Sequence, residues 1–410
     1  MLSQYQKAIG YFYFACMFLA VVLMPWHKTL TSGPFFFMGC AWLIARNPLF
    51  IVKDWWNNKR IWLFAAIYLV AVIAWYFSDD RLAAAVDMRV KSYLFLLPIV
   101  LGSSLKPNRK QVFYVLAGFV VSCIAFALFA LGKAVYDLAL TGKNHFYYKD
   151  LVAFTYMHPA YIGMFIAFAV ILTGMLLLAT WDKISTKRRL FFLLVMAFLS
   201  IFIFLLTAKM AIFSLAIFLI LGIWIWGYRH GGFKRAALMT LLFLVFGITL
   251  VFAFPYTRLR FQILFNYHST SYTNSVESRT EIWKAGSMLM DAHHYRGIGS
   301  GDAADSLIVY YQKIGFEKGV EERYNTHNQF MQVQVESGWG GTLLFAVLFA
   351  ACLYLAWRER NWPWMALILL FLLNSSTESM LKTQSGVVFF AFFNAFLGMF
   401  YRREEIGVKG

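Results

Sequence analysis

The apolar positions of this chain are gathered into long runs. Twelve blocks stand out: 8–25, 34–52, 61–77, 91–104, 111–132, 159–180, 190–206, 210–227, 236–255, 337–357, 363–374 and 386–401. About 20 apolar residues in a helix span the hydrocarbon core of a bilayer. The pattern therefore predicts an all-α, polytopic membrane protein of about 12 transmembrane helices, with 91–104 and 363–374 the shortest blocks. The connections are mostly short. One is not: residues 256–336 form a long polar segment with a helix-like stretch, SRTEIWKAGSMLM (278–290), and a glycine-rich turn, RGIGSGD (296–302). Loops of that length are usually functional. The organisation read from the sequence is nine helices in 1–255, a long loop with short helices in 256–336, and three helices with a tail in 337–410. No internal repeat or low-complexity tract suggests a second soluble domain.

Composition narrows the class. The chain is 61% hydrophobic and 14% charged, against about 45–50% and about 25% for soluble domains. An aromatic content of 19% also excludes disorder. The formal charge is +17, which in a soluble protein would suggest nucleic acid. An even number of spans puts both termini on one side. With that side cytoplasmic, the inner segments carry a net +15 and the outer segments +2. Most of the excess is then the bias of short inner loops toward Lys and Arg, and nucleic acid is not needed to explain it. Cys16, Cys40, Cys123 and Cys352 all fall in apolar runs, where a thiol packs as a small hydrophobe. Neither a disulfide framework nor a metal site is expected from them. The N-terminal run reads as the first membrane helix and not as a cleaved signal.

A few polar residues are candidates for chemistry. His327, in THNQFMQVQVESGWGG (326–341), sits where the long loop returns to the membrane. It suits a general base, or else caps a helix start. Arg279 follows Ser278, a possible helix cap. A base near a helix N-terminus is disfavoured by the dipole, so Arg279 either grips phosphate or pairs with Glu277 or Glu281. In SDDRLAAAVDMRVKSY (78–93), Arg81, Arg89 and Lys91 lie on the outer side, where few bases are expected. They either meet a lipid phosphate or diphosphate, or snorkel and pair with Asp79, Asp80 and Asp87. Lys209 stands in a tight outer turn, FLLTAKMAIFSL, between two apolar runs. An ionisable residue there needs a partner or a polar cavity. Metal binding is not expected: His293 and His294 are adjacent, and no HExxH or Cys/His cluster occurs. No phosphate-binding loop of nucleotide enzymes is present, and GIGSGD follows no buried strand. The roles of Asp79, Asp80 and Glu336 stay open.

Together the spans, the late long loop, SR-x3-W (278–283), the turn at 297–302 and HN-x2-M-x4-ESG-x-G (327–340) resemble the O-antigen ligase and polymerase superfamily of bacterial envelope glycosyltransferases. Among its members, O-antigen ligases are most similar in organisation. The resemblance implies a GT-C-like fold. It implies transfer of a glycan from undecaprenyl diphosphate to lipid A–core, in lipopolysaccharide assembly, on the periplasmic face of the inner membrane. It implies His327 as catalytic base and Arg279 in the diphosphate or catalytic site. Family members commonly carry arginine where this chain has Lys209, which keeps the charge and loses the planar fork. Arg81, Arg89, Lys91 and Lys209 are the expected diphosphate ligands. The expected reaction is an inverting displacement without metal or cofactor. The partners are the lipid-linked donor, the lipid A–core acceptor and membrane lipids. O-antigen polymerase and protein O-oligosaccharyl ligase are the alternatives within the superfamily. A secondary transporter, with its site at the bilayer midplane, and a structural membrane scaffold are the alternatives outside it.

Overall fold

The computed structural model describes residues 2–45, 48–103, 105–253, 258–259 and 275–401. Among the described residues every regular element is helical. Seven stretches are long and apolar enough to cross a membrane: Gln4–Leu23, Lys59–Tyr76, Arg109–Thr141, Pro159–Lys183, Thr186–Leu205, Lys209–Ala253 and Gln329–Arg358. Ser32–Ala45, Trp362–Ser375 and Gln384–Phe400 are shorter apolar helices. Among the described residues this measure does not confirm the expected dozen. The block 91–104 shows why. It yields only the 10-residue helix Tyr93–Gly102, which is about 15 Å long, half of a hydrocarbon core.

Lys209–Ala253 is continuous in composition but not in direction. A Cβ built on Gly227 would lie 2.5 Å from the Cβ of Ala236, whereas residues nine apart in a straight helix are separated by about 13.5 Å. The chain therefore turns back near Gly232, whose φ is 72°. Lys209–Trp226 and Gly232–Ala253 are two helices.

The molecule is built as two compact units, one of Met1–Phe14, Phe36–Asn108 and Tyr267–Ile406, the other chiefly of Ala15–Phe35 and Arg109–Asn266. In the first unit the described part of the long polar segment forms three helices, Ser275–Ala292, Ala303–Lys313 and Glu317–Glu321. Ile282, Ala285, Leu289, Leu307, Tyr311 and Val335 make a buried core there. Because the first helix starts at Ser275, Ser278 lies within it and is not its cap, and Arg279 falls in its second turn. The loop also ends earlier than expected: the returning helix begins at Gln329, so Gln332 and Glu336 stand on a helix.

That helix breaks at Gly338 (φ 63°, ψ −163°), and the glycine-rich turn explains the break. Trp339 N–H donates to the Tyr295 carbonyl (3.1 Å) instead of to its own helix. The carbonyls of Val335 and Glu336 accept from Ile298 N (2.9 Å) and Gly299 N (3.0 Å). Buried backbone groups must be paired, and here the turn 297–302 pairs those the kink releases. Its far side holds another helix junction: Gly301 N donates to Ser78 Oγ (3.0 Å), and Asp302 accepts from Asp79 N (2.8 Å) and Asp80 N (3.2 Å). GIGSGD is thus a clamp between helices. Gly299 has φ 88°, and a Cβ on it would meet Ser78 Cα at 2.3 Å. Gly299→Ala is expected to destabilise the protein by roughly 2–3 kcal/mol from the backbone strain and the clash. Thermal melting in detergent checks this; an unchanged midpoint would show that the clamp yields freely.

Candidate functional site

The site is best built outward from His327. Asn328, not His327, caps the returning helix: its side chain accepts from Phe330 N (2.9 Å) and Met331 N (3.1 Å). Asn325 Oδ1 accepts from His327 N (2.8 Å) and supports a left-handed backbone at His327, φ 44°. Non-glycine residues seldom adopt that conformation, and such strain often marks functional sites. It turns the imidazole out of the helix start toward Glu378. The carboxylate oxygens of Glu378 lie 3.1 and 3.2 Å from His327 Nδ1. Glu378 is buried, while the His327 side chain is 24% exposed. A carboxylate on Nδ1 selects the tautomer that carries hydrogen there and leaves a lone pair on Nε2. The Tyr324 ring packs edge-on against the imidazole.

The segment around Glu378, between the helices Trp362–Ser375 and Gln384–Phe400, is zipped onto 326–336. Leu381 N donates to Gln329 Oε1 (2.7 Å). Ser379 Oγ lies 3.4 Å from Thr326 Oγ1. Lys382 Nζ reaches Glu336 Oε1 (2.8 Å) and Asp87 Oδ1 (2.8 Å). Lys91 Nζ closes the figure on Asp87 Oδ2 (2.6 Å) and Glu336 Oε2 (3.1 Å). Two lysines and two carboxylates from three distant segments thus form a ring of alternating charge, with Lys91 and Glu336 buried and Lys382 partly exposed. Burial acts to lower the Lys382 pKa, but the carboxylates of Glu336 and Asp87 outweigh it and hold the pKa above the usual lysine value. A raised pKa means the charge contributes at all pH values below the ordinary lysine range and is lost only as pH climbs through the raised one. The Lys382 charge is therefore in place at neutral pH.

This arrangement separates the bases that the sequence grouped together. Lys91, expected to face a diphosphate, is 5% exposed and paired with two carboxylates. Arg89 is exposed; two helical positions away, it projects about 200° around the axis from Lys91. Arg81 donates to the Trp75 carbonyl (2.9 Å) and lies over the Trp75 ring (4.6 Å). The helix Arg81–Lys91 thus buries Ala84 and Lys91, while Leu82 and Val86, 80% and 48% exposed, face outward.

Arg279 is differently placed. One helical turn later, Trp283 donates its indole N–H to the Thr326 carbonyl (3.1 Å), next to His327. Residues four apart share a helix face, so SR-x3-W puts Arg279 on the face turned to the 326–327 segment. Among the described residues no three His, Cys, Asp or Glu side chains gather as a metal site.

Lys209 belongs to the other unit. It is the first residue of the helix Lys209–Trp226, after a turn in which Thr207 has φ 49°. Thr207 Oγ1 is buried without a hydrogen-bond partner. A helix N-terminus with an adjacent cation and hydroxyl is suited to an anion. The same unit holds an apolar cavity of about 530 Å³, lined by Phe204, Ile212, Leu215, Phe243 and Phe252, with Arg258 among its walls.

Sequence reasoning missed Glu378 and the task of Lys382. A signal was present: Lys382 is another base in a short connection between two apolar runs, as Lys209 is.

Residues 193–346, more than a third of the chain, match the model of a family described as O-antigen ligase. The match includes Lys209, Arg279, His327 and Glu336; Asp87, Lys91, Glu378 and Lys382 lie outside it. No curated protein matches the chain. Members of that family are ligases or polymerases of the glycosyltransferase type, and the helical, membrane-spanning organisation agrees with this. In residues 193–346, the stretch that carries Lys209, Arg279 and His327, the chain is similar to the O-antigen ligase family.

Proposed function

We propose that this protein is an O-antigen ligase of the bacterial inner membrane, with its termini in the cytoplasm and its site on the periplasmic face. It transfers a glycan from undecaprenyl diphosphate to a sugar hydroxyl of lipid A–core. The observation that carries the reading is the contact of His327 Nδ1 with the buried Glu378 carboxylate, which leaves Nε2 able to accept a proton.

The chemistry follows from that placement. His327 Nε2 takes the proton of the acceptor hydroxyl as its oxygen bonds to the anomeric carbon. The bond from that carbon to the diphosphate oxygen breaks, and undecaprenyl diphosphate leaves with the electron pair. A single displacement inverts the anomeric centre. Charge grows on the leaving diphosphate, and cations aimed at it lower the barrier. Arg279, on the helix face shared with Trp283, is one such cation. Lys209, beside the unpaired Thr207 hydroxyl at the start of its helix, is suited to an anion within its own unit. The exposed Arg89, with Arg81, meets lipid phosphate at the membrane surface. Lys91 is reassigned, because its ammonium is already neutralised by Asp87 and Glu336.

Purified enzyme in lipid, given one lipid-linked glycan donor, is expected to form product on lipid A–core. Growth of the lipid-linked glycan itself would instead identify a polymerase, and product on a protein would identify a protein ligase. The transfer is expected to persist in EDTA; loss of activity restored by a divalent cation would sink the metal-free mechanism.

A further inference from the structure

His327 takes its direction from a rotation, φ 44°, between the Thr326–His327 peptide and its own Cα. Left-handed backbone at such a residue persists only where the surroundings over-determine it. Both ends of that peptide are bound. The Thr326 carbonyl accepts from the Trp283 indole N–H (3.1 Å), and His327 N donates to Asn325 Oδ1 (2.8 Å). On the far side of His327 the helix start is fixed as well. Asn328 caps it, and Gln332 N donates to the Asn328 carbonyl (2.8 Å).

The Gln332 side chain carries the clamp one residue further back. Its Oε1 accepts from Thr326 N (3.1 Å) and lies 2.9 Å from Thr326 Oγ1. Its Nε2 donates to Glu336 Oε1 (2.7 Å), an oxygen also bound by Lys382. A backbone N–H cannot accept and an ionised carboxylate cannot donate, so the amide can face only one way. Gln332 and Thr326 are 2% and 0% exposed, so a bond lost there leaves a buried group unpaired. Trp283 reaches the same threonine from a different helix, Ser275–Ala292, where it packs against the core of Ile282, Leu289 and Tyr311.

We infer that Trp283 and Gln332 are positioning residues: from two helices they clamp Thr326, and so hold His327 in the backbone conformation that aims its imidazole. The inference rests on reading His327 as the base. It predicts that losing either side chain costs nothing more once the imidazole is gone.

The experiment is a double-mutant cycle on kcat in the transfer assay, with thermal melting of each variant in detergent. Gln332→Met keeps the length of the side chain and makes neither bond. It is expected to lower kcat by about 100-fold, as a misplacement of about 1 Å does. Trp283→Phe keeps an aromatic ring in the core and removes the indole N–H; it is expected to lower kcat by about tenfold. Donor KM should change by less than about threefold in both. Added to His327→Ala, either substitution is expected to lower kcat by no more than about twofold further. Losses that multiply in the double variants would show general damage to the fold and would overturn the inference. Wild-type kcat in either single variant, or a loss confined to KM, would overturn it too. Should Gln332→Met not fold, Trp283→Phe, on a separate helix, decides. Full activity of His327→Ala would remove the underlying reading instead, so the two failures are distinguishable.

Discussion

Replacing His327 by alanine is expected to slow glycan transfer by about 10²–10⁴-fold, the usual contribution of a positioned general base. The loss should fall on kcat, because the imidazole acts on the acceptor hydroxyl as the new bond forms. Binding of the lipid-linked donor should change little. Three features support an effect of that size. The left-handed backbone at His327 (φ 44°) fixes the ring's direction, the Asn328 cap relieves His327 of any duty at the helix start, and Glu378 sets the tautomer. The check is steady-state transfer by purified variant enzyme that melts like the wild type. A variant retaining more than about a tenth of wild-type kcat would remove His327 from the chemistry.

Glu378→Gln is expected to be the next most damaging change, costing about 10²-fold or more in kcat. The amide has nearly the shape of the carboxylate. It carries no charge to stabilise an imidazolium, and it can present its NH₂ to Nδ1 and so favour the wrong tautomer. Loss of the orienting carboxylate behind a catalytic histidine costs up to about 10⁴-fold in the best-studied triad. Glu378→Asp retains the charge on a shorter stem and should recover part of the loss. The measurement is kcat for both variants beside their melting midpoints. Equal kcat for Glu378→Gln and wild type would leave Glu378 a structural acceptor only.

Both residues belong to a network whose parts were unequally legible in the sequence. His327 could be singled out because it interrupts the polar loop just before an apolar run. Glu378 could not. It lies 51 residues later, in a short connection whose composition is like that of any surface turn. Lys91 was readable as a base out of place but not as a neutralised one, because its partner Glu336 is 245 residues away. Arg81, Arg89 and Lys91 looked like one cluster because they share a short segment. Helical rotation sends Lys91 inward and Arg89 outward, and only the packed helix shows which face is buried.

The glycine-rich turn makes the same point. Its glycines were evident, and so was the lack of a preceding strand. Their purpose, filling the hydrogen bonds released by the Gly338 break and clamping Ser78–Asp80, depends on backbone from three regions meeting at one place.

The sequence by itself determined that this is an all-helical membrane protein with one long polar excursion near its end. Apolar runs need no distant partner to express their preference for lipid, and their length is written locally. The match of residues 193–346 to the O-antigen ligase family is likewise read from the sequence alone. Tertiary structure decided where helices begin and break, which charges are cancelled and which carboxylate stands behind His327. Those outcomes turn on pairings between residues tens to hundreds of positions apart. Burial makes such pairings obligatory, since a charge removed from water must find its counter-charge in the fold.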